Sequence, residues 1–275
     1  MKCGVIGTGN MGGILLETFI DSNTYQEKEL FINNRTIEKA YNYQRKYPNI
    51  HVLEDISKLI AKVDIVYLCV KPHEMIPIMR SISNSLSKNF ILISITSSVA
   101  VEDMEKLLDC QVARFIPSIT NRARAGVSLV TFGENMSNST RSMLLRKWER
   151  FSKPTVIEEK NVRIGSDIVS CGPAFFGFLA KKYIDEIKEN TDLTEEEAMK
   201  LMENMFIGFG SLLKKNYYSL DELINKVCVA GGITGEGINT INEETPLLFK
   251  RLIETTHGKF KKDKHRIEEA LGDKE

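Results

Sequence analysis

A chain of 275 residues, 42% hydrophobic and 27% charged, has the balance of a soluble globular protein and the length for two domains with separate cores. Its 37 lysines and arginines match 37 aspartates and glutamates, which argues against a nucleic-acid or membrane-surface partner, and apolar runs such as 65–70 are far too short to span a bilayer. Five scattered cysteines with no C-x-x-C pair read as reduced thiols in a cytoplasm, and four dispersed histidines with no H-E-x-x-H give no reason to expect a metal site.

Residues 2–6 are a short apolar run with the character of a buried strand, and so early a strand leaves no room for a signal peptide. The run leads into Gly7-Thr8-Gly9-Asn10-Met11-Gly12, after which Ile14, Leu15, Leu16 and Phe19 recur at helical spacing. Strand, glycine turn and helix is the context in which G-x-G-x-x-G points to dinucleotide binding rather than to a plain tight turn. Gly7 permits the turn, Gly9 lets the backbone approach a pyrophosphate, and Gly12 lets the helix pack close on the strand. Free N–H groups at the helix start, from Asn10 and Met11 onward, favour the phosphate charge.

The second strand, 30–33, ends in Asn33-Asn34-Arg35-Thr36. An NAD site keeps an acid near this point for the ribose 2′-hydroxyl, whereas an arginine accommodates the 2′-phosphate of NADP. No carboxylate stands here; Arg35 offers a forked cation and Thr36 a hydroxyl, so Asn34, Arg35 and Thr36 predict NADPH in preference to NADH. A helix over 36–47 stops at Pro48, a short strand spans 51–53, and a helix follows over 56–61. The apolar run 64–70 predicts a strand covered on both faces, ending at Val70-Lys71-Pro72-His73 in the crevice where ligands of open α/β sheets bind. A helix to residue 86, strands at 90–95 and 110–116, and strands at 126–132 and 154–157 on either side of a helix around 141–151 continue the alternation. The prediction is an α/β protein whose residues 1–160 form a doubly wound, Rossmann-type parallel sheet.

From about residue 165 the pattern is helical only, giving a second, all-helical domain over 161–275. In 167–189, Pro173 suits a first turn, and Ser170-Cys171-Gly172-Pro173-Ala174 reads as a helix start whose free N–H groups suit a substrate carboxylate. Thr194 to Glu197 and Ser219 to Glu222 are capping boxes, and Pro246 fits the first turn of the last helix. Met199, Met202 and Met205 read as core, Gly208 and Gly210 as points of close helix packing, and 259–266 as a solvated basic face. Four glycines within 231–237 let backbone approach a ligand, with Thr234 supplying a hydroxyl; a plain interhelical loop is the alternative.

These segments together resemble the pyrroline-5-carboxylate reductases, which make proline by NAD(P)H reduction of a cyclic imine. Gly7 to Gly12 is similar to the family's G-x-G-N-M, Val70-Lys71-Pro72-His73 to V-K-P-Q, Arg114 to Ser118 to R-x-M-P-N, Ser170 to Ala174 to S-G-S-G-P-A, and Ala230 to Thr234 to S-P-G-G-T-T. The resemblance implies a cofactor held by Gly7 to Gly12, Asn34 to Thr36 and Val70, Lys71 and Pro72. It implies a substrate near Gly172, Pro173, Gly231 and Gly232, with Thr234 near the imine nitrogen, and a homodimer or larger oligomer. Ser118 replaces the family's asparagine and Val229-Ala230 its serine-proline, as in a divergent paralogue of the kind found in the late-competence operon of Gram-positive bacteria. Two other readings stay open. One is a catalytically weak NADP-binding regulatory paralogue. The other is a β-hydroxyacid dehydrogenase, although Lys181 and Lys182 are followed four residues on by Asp185 and Glu186 where that class has asparagine.

Overall fold

In the computed structural model, which describes residues 1–272, the apolar runs near the N-terminus become the centre of an eight-stranded sheet. Its strands are β1 (Cys3–Ile6), β2 (Leu30–Asn33), β3 (His51–Val52), β4 (Ile65–Leu68), β5 (Ile91–Ser94), β6 (Gln111–Ile116), β7 (Val127–Phe132) and β8 (Lys153–Val156). Strands β1, β2, β4, β5 and β6 are buried at every position, as strands covered on both faces must be. The order β3-β2-β1-β4-β5-β6-β7-β8 reverses direction between β1 and β4, which opens a crevice at their C-terminal ends. All neighbours are parallel except β6 and β7, which are antiparallel. The connection over 117–126 is too short for a crossover helix, so the chain turns back on itself there.

The pleat sends alternate residues to opposite layers. Ile65 and Tyr67 face α1 (Asn10–Asp21), α2 (Ile37–Lys46) and α6 (Asn138–Trp148), whereas Val66 and Leu68 face α3 (Ile56–Ile60), α4 (Pro72–Ile82) and α5 (Val101–Glu105). In the first layer Phe115 and Trp148 stack at 4.7 Å, and the Trp148 indole donates to the Tyr67 hydroxyl at 2.9 Å, so the one tryptophan is satisfied in full burial. Arg114 is also fully buried. Its guanidinium donates to the carbonyls of Ser97 and Val99, each at 3.2 Å, and to Thr131 Oγ1 at 3.1 Å, and it pairs with Glu159.

The chain divides into two compact units: Met1–Pro173 with the segment from Thr256 onward, and Ala174–Thr255. The first unit therefore runs past residue 160 and takes back the end of α11 (Ile233–Gly272). Three contacts fix that end. Ile267 is 1% exposed in the second layer beside Leu59 and Met79, Arg80 donates to the Ala270 carbonyl at 2.9 Å, and Thr256 Oγ1 donates to Asp167 Oδ2 at 2.8 Å.

Two helix boundaries differ from the sequence reading. First, α7 (Val162–Ser166), a π turn over Asp167–Cys171 and α8 (Gly172–Asn190) follow without a break, so Gly172 and Pro173 do not stand at a free helix start. Second, Pro246 lies inside α11 rather than in its first turn, where its missing N–H cannot serve the carbonyl of Asn242 four residues earlier.

The second unit comprises most of α8, α9 (Glu195–Lys214), α10 (Leu220–Val227) and the start of α11. Thr194 and Ser219 do cap α9 and α10, each accepting from the N–H three residues on. Among its described apolar side chains only Ile184 and Ala198 are buried, while Phe176, Phe178, Leu201, Met205, Phe206 and Ile207 are exposed. Met205 is thus not core within this chain, and among the described residues nothing beyond the backbone of their own helix and their chain neighbours lies within 4 Å of where side chains at Gly208 and Gly210 would begin. Among the described residues no helix is long and apolar enough to cross a membrane.

Candidate functional site

The turn after β1 is built from three glycines under three different constraints. Gly7 has φ +94°, and a Cβ on it would stand 2.6 Å from the Cys69 carbonyl oxygen; its N–H donates to the Asn33 carbonyl at 2.9 Å. Gly12 lies so close beneath that a Cβ would sit 2.0 Å from the Gly7 carbonyl oxygen. A Cβ on Gly9, which precedes α1, would meet nothing within 4 Å. Asn10 and Met11 form the open first turn of α1 beside it. The Thr8 N–H donates to Asn34 Oδ1 at 3.0 Å, and Asn34 Nδ2 donates to the Thr36 carbonyl at 2.9 Å, so the loops after β1 and β2 are tied together. The Thr8 hydroxyl is buried with no hydrogen-bond partner among the described residues.

A cleft of about 800 Å³ opens at the C-terminal ends of β1, β2 and β4, lined by Gly7, Gly9, Asn34, Arg35, Val70 and Lys71 among others. Thr36 also lines it, and Pro72 begins α4 at its edge, against a smaller hollow shared with Lys71 and His73. The cleft wall includes Cys69, whose thiol burial pushes well up, keeping it protonated. Sequence reasoning missed one wall residue of consequence. Glu74, at the third position of α4, accepts the Lys71 N–H at 3.1 Å and forms an ion pair with Arg35. Its signal was available in Lys71-Pro72-His73-Glu74: proline at the first helical position and an acid two residues on mark a helix start.

Ser118, where the resembling family has asparagine, is buried and committed to its own turn. Its Oγ accepts from the Thr120 N–H at 3.3 Å and the Thr120 hydroxyl at 2.9 Å. Ser170 in the π turn donates to the Pro117 carbonyl at 2.8 Å, which sets Gly172 and Pro173 beyond the end of β6. Gly231, Gly232 and Thr234 belong to the other unit, in the turn from α10 into α11. Gly231 has φ +71°, and a Cβ on Gly232 would meet Val229 Cγ2 at 2.8 Å. Helix begins at Ile233, so Thr234 and Gly235 are helical rather than part of a loop, and the Gly232 and Gly235 N–H groups donate to the carbonyls of Val229 at 2.9 Å and Gly232 at 3.1 Å. Thr234 is exposed there. Lys181 is held by Asp185 at 2.8 Å and Glu195 at 2.6 Å, a pairing of the kind found on a solvated helix face.

Two family models match the chain: "Pyrroline-5-carboxylate reductase dimerisation" over residues 159–262 and "NADP oxidoreductase coenzyme F420-dependent" over residues 2–98. ComE operon protein 4 of Bacillus subtilis (strain 168) is 44% identical over 263 residues, 96% of each chain. Pyrroline-5-carboxylate reductase 3 of the same organism is 28% identical over 260 residues, 94% of this chain and 95% of its own. The pyrroline carboxylate reductase of Plasmodium falciparum, solved with NADP bound, superposes with a TM-score of 0.82 at 21% identity, covering 97% of this chain and 98% of that one. The enzyme of Streptococcus pyogenes gives 0.81 at 18% identity, covering 96% and 98%. The chain belongs to the pyrroline-5-carboxylate reductase family of oxidoreductases, with greater likeness to the ComE operon protein than to the reductases named beside it.

Proposed function

We propose that the protein is an NADPH-dependent reductase of a cyclic imine acid, pyrroline-5-carboxylate or a related imine, working as a homodimer or larger homo-oligomer in the cytoplasm. Residues 1–160 hold the cofactor, and 161–275 supply substrate contacts and the subunit interface. The observation that carries the reading is the turn after β1: a left-handed Gly7, an open face on Gly9, a Gly12 with no room for a side chain, and a buried Thr8 hydroxyl with no partner among the described residues. Such a cradle fits a dinucleotide pyrophosphate. Gly7, Thr8, Gly9, Asn10, Met11 and Gly12 take the phosphates, Asn34, Arg35 and Thr36 the adenosine ribose end, and Val70, Lys71 and Pro72 the far wall.

A bound NADPH supplies a hydride for the C=N carbon. The protein's part is to bind and orient, which for such a step accounts for much of the rate. Thr234 holds the imine nitrogen through its hydroxyl. The first-turn N–H groups of α11, just past Gly231 and Gly232, favour the substrate carboxylate by their partial positive charge. Gly172 and Pro173 are assigned to the substrate by resemblance alone. The exposed apolar faces of 174–255 support the oligomer, since helices that bury so little by themselves need a partner surface.

One observation favours a second reading, a catalytically weak NADP-binding regulatory paralogue. The greater identity is to a competence-operon protein, 44% against 28% for the reductase, and Ser118 spends its hydroxyl on its own turn. The test is NADPH oxidation with pyrroline-5-carboxylate, alongside NADPH and NADH binding, on wild type and Thr234→Ala. Turnover lost in the variant with binding intact supports the reductase. Binding without wild-type turnover rules out pyrroline-5-carboxylate and favours another imine or the regulatory reading.

A further inference from the structure

Dinucleotide-binding folds that take NAD keep an acid at the end of the second strand. Here Asn33-Asn34-Arg35-Thr36 stand at that point and no acid follows β2 directly. A carboxylate nevertheless reaches the same end of the cleft from a different element: Glu74 of α4, ion-paired with Arg35. The two partners are unequally held. The Arg35 side chain is 85% exposed and that of Glu74 is 24% exposed. Glu74 is anchored because Oε2 accepts the Lys71 N–H at 3.1 Å, capping α4, while Oε1 faces the guanidinium. The other charged or titratable groups on this cleft are Lys39, Lys71, His73 and Glu54, and Glu54 already accepts the Tyr41 hydroxyl at 3.0 Å. Glu74 is therefore the fixed anion, and Arg35 the movable cation, at the ribose end.

We infer that Glu74 sets the cofactor preference of this site, by competing with a 2′-phosphate for Arg35 and by offering a free 2′-hydroxyl an acceptor. The inference rests on the dinucleotide reading of the cleft given above. A 2′-phosphate needs the arginine fork for two charge-assisted hydrogen bonds. Taking it means drawing Arg35 off Glu74, or else placing two anions on one cation, which disfavours the second anion. A 2′-hydroxyl donates to the carboxylate and leaves the Arg35–Glu74 pair intact. The wild-type chain on this account discriminates between NADPH and NADH less than Arg35 alone would make it do. Arg35 is largely open to solvent and Glu74 partly so, which keeps the restraint modest; exposed pairs are worth a factor of about three to five in binding.

The experiment measures dissociation constants of NADPH, NADH, 2′,5′-ADP and 5′-ADP by calorimetry on wild type, Glu74→Gln and Arg35→Gln. Glutamine keeps an oxygen for the Lys71 N–H, so the start of α4 is preserved, and the unfolding midpoint of the free protein checks this. Glu74→Gln is expected to tighten NADPH and 2′,5′-ADP about three- to fivefold while leaving NADH unchanged or weaker, with the effect shrinking at high salt. Arg35→Gln is expected to weaken the two 2′-phosphorylated ligands only. If Arg35→Gln behaves so but Glu74→Gln leaves the NADPH-to-NADH ratio unchanged, Glu74 is only a helix cap, and the inference fails while the dinucleotide reading stands. If Glu74→Gln weakens NADPH at an unchanged midpoint, Glu74 positions Arg35 rather than competing for it, and the inference is equally overturned. If wild type binds none of the four ligands, the dinucleotide reading itself falls and takes the inference with it.

Discussion

The glycine turn allows packing and ligand approach to be separated by two single-methyl substitutions. At Gly12 an alanine would gain about 1 kcal/mol of helix propensity. Its Cβ, however, would lie 2.0 Å from the Gly7 carbonyl oxygen, against 3.4–4 Å for ordinary contact. Relief requires α1 to lift off β1, loosening Leu15, Leu16 and Phe19, all fully or nearly fully buried. Overpacking of this kind costs about 1–3 kcal/mol and more where backbone must move. We expect a net loss of about 2 kcal/mol, and with about 2–4 °C per kcal/mol in a chain of this size, a melting midpoint roughly 4–8 °C lower. At Gly9, φ −73° and ψ −164° suit any residue, and a methyl meets nothing. The smaller unfolded-state entropy of alanine and its poorer N-capping offset one another, leaving stability within about 1 kcal/mol of wild type. The methyl does occupy the face offered to a pyrophosphate, so NADPH binding should weaken by about tenfold or more. Thermal unfolding and NADPH titration on both variants decide the matter. A Gly9→Ala protein that binds NADPH like wild type would refute the placement of the pyrophosphate. A Gly12→Ala protein that melts at the wild-type temperature would refute the packing argument.

Two further predictions concern stability. Ile267→Ala removes a side chain that is 1% exposed between α11 and the helices on that face of the sheet, and should cost about 2–4 kcal/mol, with faster amide exchange over 256–272; a loss too small to measure would mean that this stretch is not docked. Stability should also fall above about pH 9, because an unfolded cysteine titrates near 9.0 while burial pushes the Cys110 thiol up to about 11. Between those values the unfolded chain has released a proton that the folded chain still holds, so rising pH favours unfolding. Cys3 and Cys69, also raised by burial, add the same sign, while Lys147, lowered by burial, opposes it. Urea midpoints at pH 8, 9.5 and 11 that stay level or rise would contradict this.

The alternation of apolar runs with helical stretches sufficed to predict a doubly wound sheet, because a strand covered on both faces has no polar side to show: Ile65 to Leu68 is buried throughout, as its composition demands. The tight turn at Gly7 and the close packing at Gly12 were legible too, since left-handed backbone and the absence of Cβ are properties of the residue itself. The antiparallel β7 was not, because strand direction depends on how short the link over 117–126 proves to be in space. Nor was the continuous helical path from α7 into α8, since a π turn has no strong sequence signature and proline read alone signals a start.

The sequence by itself therefore determined the order of elements, the glycine turn at Gly7 to Gly12 and the cation at Arg35, all properties of residues near one another in the chain. Only the tertiary structure decided that Glu74 meets Arg35 across 39 positions and that Ile267 is buried in the same core as Leu59. It likewise left the apolar faces of 174–255 uncovered. Charge pairing and burial between distant segments depend on where the sheet and its crossovers bring them, and local pattern carries no record of that.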